Sequence, residues 1–119
     1  MRFSLFLVAF VFAGCSASGA VLTPAQADAA LGDARAAVAE AQQLGAERAA
    51  PAELRAAQAR LADAERVLSE GDPTRATHLA REAAVSAELA GVAALAQRAR
   101  EAQAIYEEVQ ALRAVIEAE

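Results

Sequence analysis

The apolar positions of this chain are filled mainly by alanine, recurring every three or four residues, and nothing else in the sequence limits its fold so strongly. Hydrophobic residues make up 56% of the 119, yet aromatics reach only 4% and Trp is absent. Alanine is the best helix former but has little side chain to bury. Such a sequence makes helices readily and packs them closely around a thin core. It has little with which to line a large pocket, the usual setting of a ligand or catalytic site. The length suits one small domain or an elongated helical unit. The expected class is all-α, an up-down-up arrangement of three helices with a long, overhanging third, preceded by a signal-peptide helix.

Local signals place the helices at about 24–44, 51–70 and 73–117. Thr23-Pro24-Ala25-Gln26 carries a capping Thr, a Pro at the first turn and the Gln of a capping box. Leu31, Ala34, Val38 and Ala41, with Leu44 beside them, then form one face, and Gly45 is a stop. Pro51 opens the second helix, whose face is Leu54, Ala57, Leu61, Ala64 and Leu68. Arg66 and Glu70 add an i, i+4 pair worth ~0.2–0.5 kcal/mol. Glu70-Gly71-Asp72-Pro73 ends that helix and starts the next within one tight turn, making the two antiparallel neighbours.

The third helical stretch is interrupted only by Gly91. Its first half shows two apolar faces, Leu79-Ala83-Ala87-Ala90 and Val85-Leu89-Val92-Ala96, so it is expected to pack against two neighbours. At about 1.5 Å per residue the first two helices are each roughly 30 Å long and the third roughly 70 Å, so the third must overhang by about half. The overhang carries Ile105, Val109, Leu112 and Ile116 at helical spacing. Burying one such side chain stabilises by about 1.5–3 kcal/mol. The expectation is that this stripe contacts another chain or folds back on its own bundle.

The first residues carry an address. Met1-Arg2 supplies a positive start, and Phe3 to Phe12 is a nearly unbroken apolar run, followed by Ala13-Gly14-Cys15. A bilayer-spanning helix needs about 20 apolar residues, roughly twice this run. The pattern is that of a secretory signal peptide over 1–14. Residues 15–22 read as a small, flexible tether ahead of a helical domain over 23–119. Phe12-Ala13-Gly14-Cys15 resembles the lipobox of bacterial lipoproteins, although Phe12 stands where Leu, Val or Ile is usual. The resemblance implies cleavage between Gly14 and Cys15, lipid on the Cys15 sulfur and, with Ser16 rather than Asp following, the periplasmic face of the outer membrane. The alternative is later cleavage, after Ala17 or Ala20, giving a soluble periplasmic protein. Cys15 is the only Cys, so no internal disulfide can form.

A broader likeness rests on Ala49-Ala50-Pro51-Ala52-Glu53-Leu54, Leu61-Ala62-Asp63-Ala64, Gly71-Asp72, and Leu79-Ala80 with Ala83 and Ala87. From Ala29 to about Ala104 the chain resembles an uncharacterised alanine-rich periplasmic domain of Gram-negative bacteria. That domain occurs alone as a lipoprotein or ahead of an OmpA-type peptidoglycan-binding domain, and no such domain follows in this sequence. Ala57 to Ala87 also looks like a single tetratricopeptide-type hairpin, but one hairpin is not an array.

Candidates for chemistry are few. His78 is the only histidine and has no partner ligands, so it reads as a surface or packing residue and no metal site is expected. Asp63, Glu65, Glu82, Glu88, Glu101, Glu107 and Glu108 face solvent by their spacing. Ser69 and Ser86 lack a His-acid pair, and no phosphate-binding loop is present. Tyr106 reads as packing at the overhang, and Arg98 and Arg100 with Glu101 as a solvated face. Acidic residues outnumber basic ones 16 to 11, all the basic ones being Arg, which argues against nucleic acid.

The expected function is therefore non-catalytic, with no cofactor and no small-molecule substrate. The chain would be an exported lipoprotein held at the membrane through Cys15, engaging a protein partner or a second copy through its C-terminal helix. The alternatives are a non-covalently wall-associated lipoprotein and a small periplasmic ligand-binding protein. Covalent attachment to peptidoglycan through a C-terminal Lys is excluded, because there is no Lys.

Overall fold

The computed structural model describes residues 19–119. They form four helices: α1 (Pro24–Gln43), α2 (Ala46–Ala49), α3 (Pro51–Ser69) and α4 (Pro73–Glu117). The described chain is all-helical, with a long C-terminal helix and no strand. The expected signal peptide over 1–14 and the expected cleavage and lipid position at Gly14 and Cys15 lie outside the described residues.

The helix ends follow from local chemistry. At the start of α1 the Thr23 hydroxyl accepts the Gln26 N–H at 3.3 Å, and the Gln26 side-chain oxygen accepts the Thr23 N–H at 2.8 Å. This reciprocal box satisfies donors that no earlier turn can reach. Gly45 (φ 89°) ends the helix, its N–H donating to the Gln42 carbonyl. The sequence reading did not anticipate the single turn α2 that follows. Pro51 confines it, because a residue before proline is pushed out of the helical region, and Ala50 sits at φ −146°, ψ 60°.

The α3–α4 turn is a Schellman motif. Gly71 takes φ 92°, its N–H donates to Leu68 O, and the Asp72 N–H donates to Val67 O. Asp72 then caps α4, its Oδ1 accepting the Arg75 N–H at 3.0 Å. α4 runs unbroken through Gly91 for 45 residues. That glycine is needed for contact rather than for bending. A Cβ built there would stand 3.2 Å from the Leu44 side chain and 3.8 Å from the Ala41 Cα.

The core is built in three layers. One holds Ala27, Val67 and Ala76; the next holds Leu31, Ala34, Ala64, Ala80 and Ala83. The third gathers Val38, Ala41, Leu54, Ala57, Ala87, Ala90 and Ala94, with Ala46 and Ala50 from the α2 region. From layer to layer residue numbers rise along α1, fall along α3 and rise along α4. Leu44, Leu61 and Leu68 seal the edges half-buried, while Val67, which the sequence reading passed over, is buried. Among the described residues Thr77 is the buried polar one, its hydroxyl donating to Pro73 O at 2.8 Å, and no buried side-chain polar atom is left unpaired.

Two expectations need correction. Val85, Leu89 and Val92, expected to pack against a second neighbour, are 59–64% exposed, and Ala96 is exposed as well. α4 does meet two neighbours, α1 and α3, but with a single face of mainly small residues, the alanines with Thr77, Gly91 and the half-buried Leu79, which lets backbones approach closely. Nor does the overhang fold back on the bundle, because α4 has no turn between Pro73 and Glu117.

Candidate partner-binding surface

Starting from the buried alanines of α4, the same 3-4 rhythm can be followed to the helix end. Ala80, Ala83, Ala87, Ala90 and Ala94 are succeeded by Arg98, Glu101, Ile105, Val109, Leu112 and Ile116. Residues three and four apart share one helix face. The expected stripe therefore continues the face that packs on α1 and α3, carried past the point where those helices stop.

Between the covered and uncovered parts lies a polar seal. The Arg98 guanidinium donates to Gln43 O at the end of α1 (3.3 Å), and Arg48 of α2 pairs with Glu101 at 3.0 Å. Gln97 also donates to Glu101. Arg98 and Glu101 are exposed, in keeping with a solvated face, and both also reach across to the end of the bundle. Continuing the alanine period two steps past Ala94 would have revealed them in the sequence. Arg48 was missed because α2 itself was.

Beyond the seal no residue from Arg98 to Glu119 is buried or half-buried. Ile105, Val109, Leu112 and Ile116 are 52–73% exposed. The structure brings the four onto one face and, among the described residues, places nothing against them. Tyr106 and Val115 flank the stripe and are equally open, so Tyr106 does not pack within the chain as expected. Gln103 bonds Glu107 on the far side.

The remaining candidates stay apart. His78 is exposed, and among the described residues no group of three or more His, Cys, Asp or Glu could hold a metal ion. Concave surface among the described residues includes open depressions, such as the groove between α1 and α4 edged by Ala30, Asp33, Arg81, Val85 and Glu88. Arg35–Glu65 (2.7 Å) ties α1 to α3, and Arg60 reaches Ser86 and Glu82 on α4. The Glu70 hydrogen bond, then the Glu70 charge and a contact with Asp63, raises the Arg66 guanidinium pKa above its ordinary value. The ion pairs are exposed, and those of Arg35 and Arg60 tie helices together while those of Arg66 lie within α3. No described helix is long and apolar enough to cross a membrane.

At the opposite end of α4 from the stripe, the Leu22 N–H donates to the Thr74 hydroxyl at 3.0 Å. The segment entering α1 therefore lies beside the first turn of α4. By helix rise, about 65 Å separate Thr74 from Glu117.

Residues 29–105 match the family described as Domain of unknown function (DUF4398), a span that covers all of the bundle but the first turn of α1 and stops at Ile105, the first residue of the stripe. No curated protein and no solved structure matches the chain. The match takes in well over half of the sequence, and the chain belongs to this uncharacterised domain family.

Proposed function

We propose that this chain is a lipid-anchored protein of the bacterial envelope, without catalytic activity, that holds an apolar helix face away from the membrane for a protein partner. The reading takes the body as an up-down-up bundle, in keeping with the rise, fall and rise of residue numbers through the core layers. The observation that carries it is the uncovered stripe Ile105, Val109, Leu112 and Ile116, in phase with the buried face of α4. Contiguous apolar surface on a soluble body marks an interaction site. The position of Leu22 beside Thr74 supports it too, since a tether leaving there puts anchor and stripe at opposite ends.

In this reading lipid on Cys15 supplies the attachment, and the outer membrane facing the periplasm is the address. Two or more acyl chains hold a protein stably where one is marginal. The test is the mass of the mature protein purified from membranes, beside a Cys15→Ser version. A lipid-sized increment on a peptide beginning at Cys15, lost in the variant, is expected. An unmodified chain beginning near Ser18 or Val21 would overturn the anchor.

A further inference from the structure

We infer that the occupant of the stripe is the stripe of a second copy of this chain, laid antiparallel. The inference rests on the partner-binding reading above and names the partner. Three observations lead to it: the spacing of the stripe, the position of the bundle relative to it, and the charges at its two ends.

The spacing is its own mirror image. Ile105, Val109, Leu112 and Ile116 are separated by 4, 3 and 4 residues, and the pattern reads the same from either end. A two-fold axis normal to both helices sets Ile105 against Ile116 of the second copy and Val109 against its Leu112. Repeating each pair gives four apolar layers with no mismatch, the self-complementarity that a two-fold interface requires. The flanks agree with the same register. On one side Tyr106 lies beside Arg113 of the other copy, where a guanidinium can rest on a ring face. On the other side Val115 lies beside Glu108, so that its exposed methyl groups meet that side chain's stem.

The bundle decides the direction. α1 and α3 sit on the same face of α4 as the stripe and stop at Arg98. Two parallel copies in register would therefore drive their bundles into one another. Antiparallel copies avoid this. With Ile105 opposite Ile116, residue 117 of one copy comes level with residue 104 of the other, just beyond its polar seal. Each overhang, from residue 105 to 117, lies in the space above the other's bundle. The pair is a rod whose two Thr74 ends are about 110 Å apart at helical rise.

Charge completes the fit. The arriving segment carries Glu117 and Glu119, and the seal it approaches carries two arginines, Arg48 and Arg98, against one acid, Glu101, which Arg48 already engages. Arg98 contacts a carbonyl and, among the described residues, has no carboxylate partner. A neighbouring acid is what its position lacks.

The test uses the full chain with Cys15→Ser as background and cysteines placed at Ile105 and Ile116. These positions are about 16 Å apart on one helix, too far for a disulfide within one chain. Under mild oxidation the Ile105→Cys, Ile116→Cys double variant is expected to give a covalent dimer. Each single variant should give at least about tenfold less, and Val109→Asp with Leu112→Asp should abolish the crosslink while circular dichroism still shows the helical bundle. Single variants that crosslink as well as the pair would overturn the antiparallel register. So would a crosslink that survives the two aspartates. No dimer at protein concentrations up to about 1 mM, far above a micromolar Kd, would overturn the second copy as occupant. None of these results touches the Cys15 mass measurement, so the two readings fail separately.

Discussion

Glycine shows most clearly how single residues act in this chain, because three of them sit in three different settings. Gly71 holds φ 92° at the end of α3, a conformation that costs a side chain strain even where space is open. Gly71→Ala is expected to lower stability by about 1 kcal/mol, read as an earlier thermal unfolding midpoint. Gly32 lies in α1 with ordinary helical geometry, exposed and with nothing near its added Cβ. There the same substitution should raise stability by about 0.8–1 kcal/mol, through helix propensity alone. Gly91 is buried against Ala41 and Leu44, so a branched side chain meets backbone on one side. Gly91→Val is expected to cost about 1–3 kcal/mol by overpacking, in the same unfolding measurement.

Individual elements differ in what holds them. α1 and α3 keep their places mainly through a few large side chains set among alanines, Leu31 and Leu54 above all. Leu54→Ala should cost about 2–5 kcal/mol in denaturant unfolding, because alanine neighbours cannot extend to fill the hole. α4 is different. Its bundled half is fixed by alanine contact, whereas beyond Glu101 every residue is exposed. A helix of that length is marginal in water by itself, and continuity with the packed half supplies its nucleus. The spacing that placed the stripe on one face was readable in the sequence. The seal beneath it was less so, since Arg98 and Glu101 look like surface charges until Gln43 and Arg48 are seen across from them.

For the molecule as a whole the result is an uneven body, compact at one end and a bare helix at the other. Protection from protease should follow that division. In dilute solution trypsin is expected to cut first after Arg100 and Arg113, both in the uncovered helix, while Arg35 and Arg60 in the bundle survive longer. Raising the protein concentration should slow cutting at Arg113, which the antiparallel pair covers, more than at Arg100. Equal rates at every concentration would count against pairing through this segment. Salt is expected to alter bundle stability little, since its ion pairs are exposed and worth about 0–1 kcal/mol each.

The helices and their ends were decided by the sequence itself. Capping at Thr23 and Asp72, termination at Gly71 and the break before Pro51 each depend on residues within about one turn, and local chemistry is visible in a string of letters. The alanine period likewise determined that helices would pack closely and that the core would be thin. Which face of α4 is covered was a tertiary decision. Ala80-Ala83-Ala87 and Val85-Leu89-Val92 are both periodic, and two short helices can cover only one side of a long one. The covered side is the one whose small residues let α1 and α3 approach. The same choice determines what the uncovered stripe means, because only the packing of α1 and α3 puts Ile105 to Ile116 in line with the core, beyond its end.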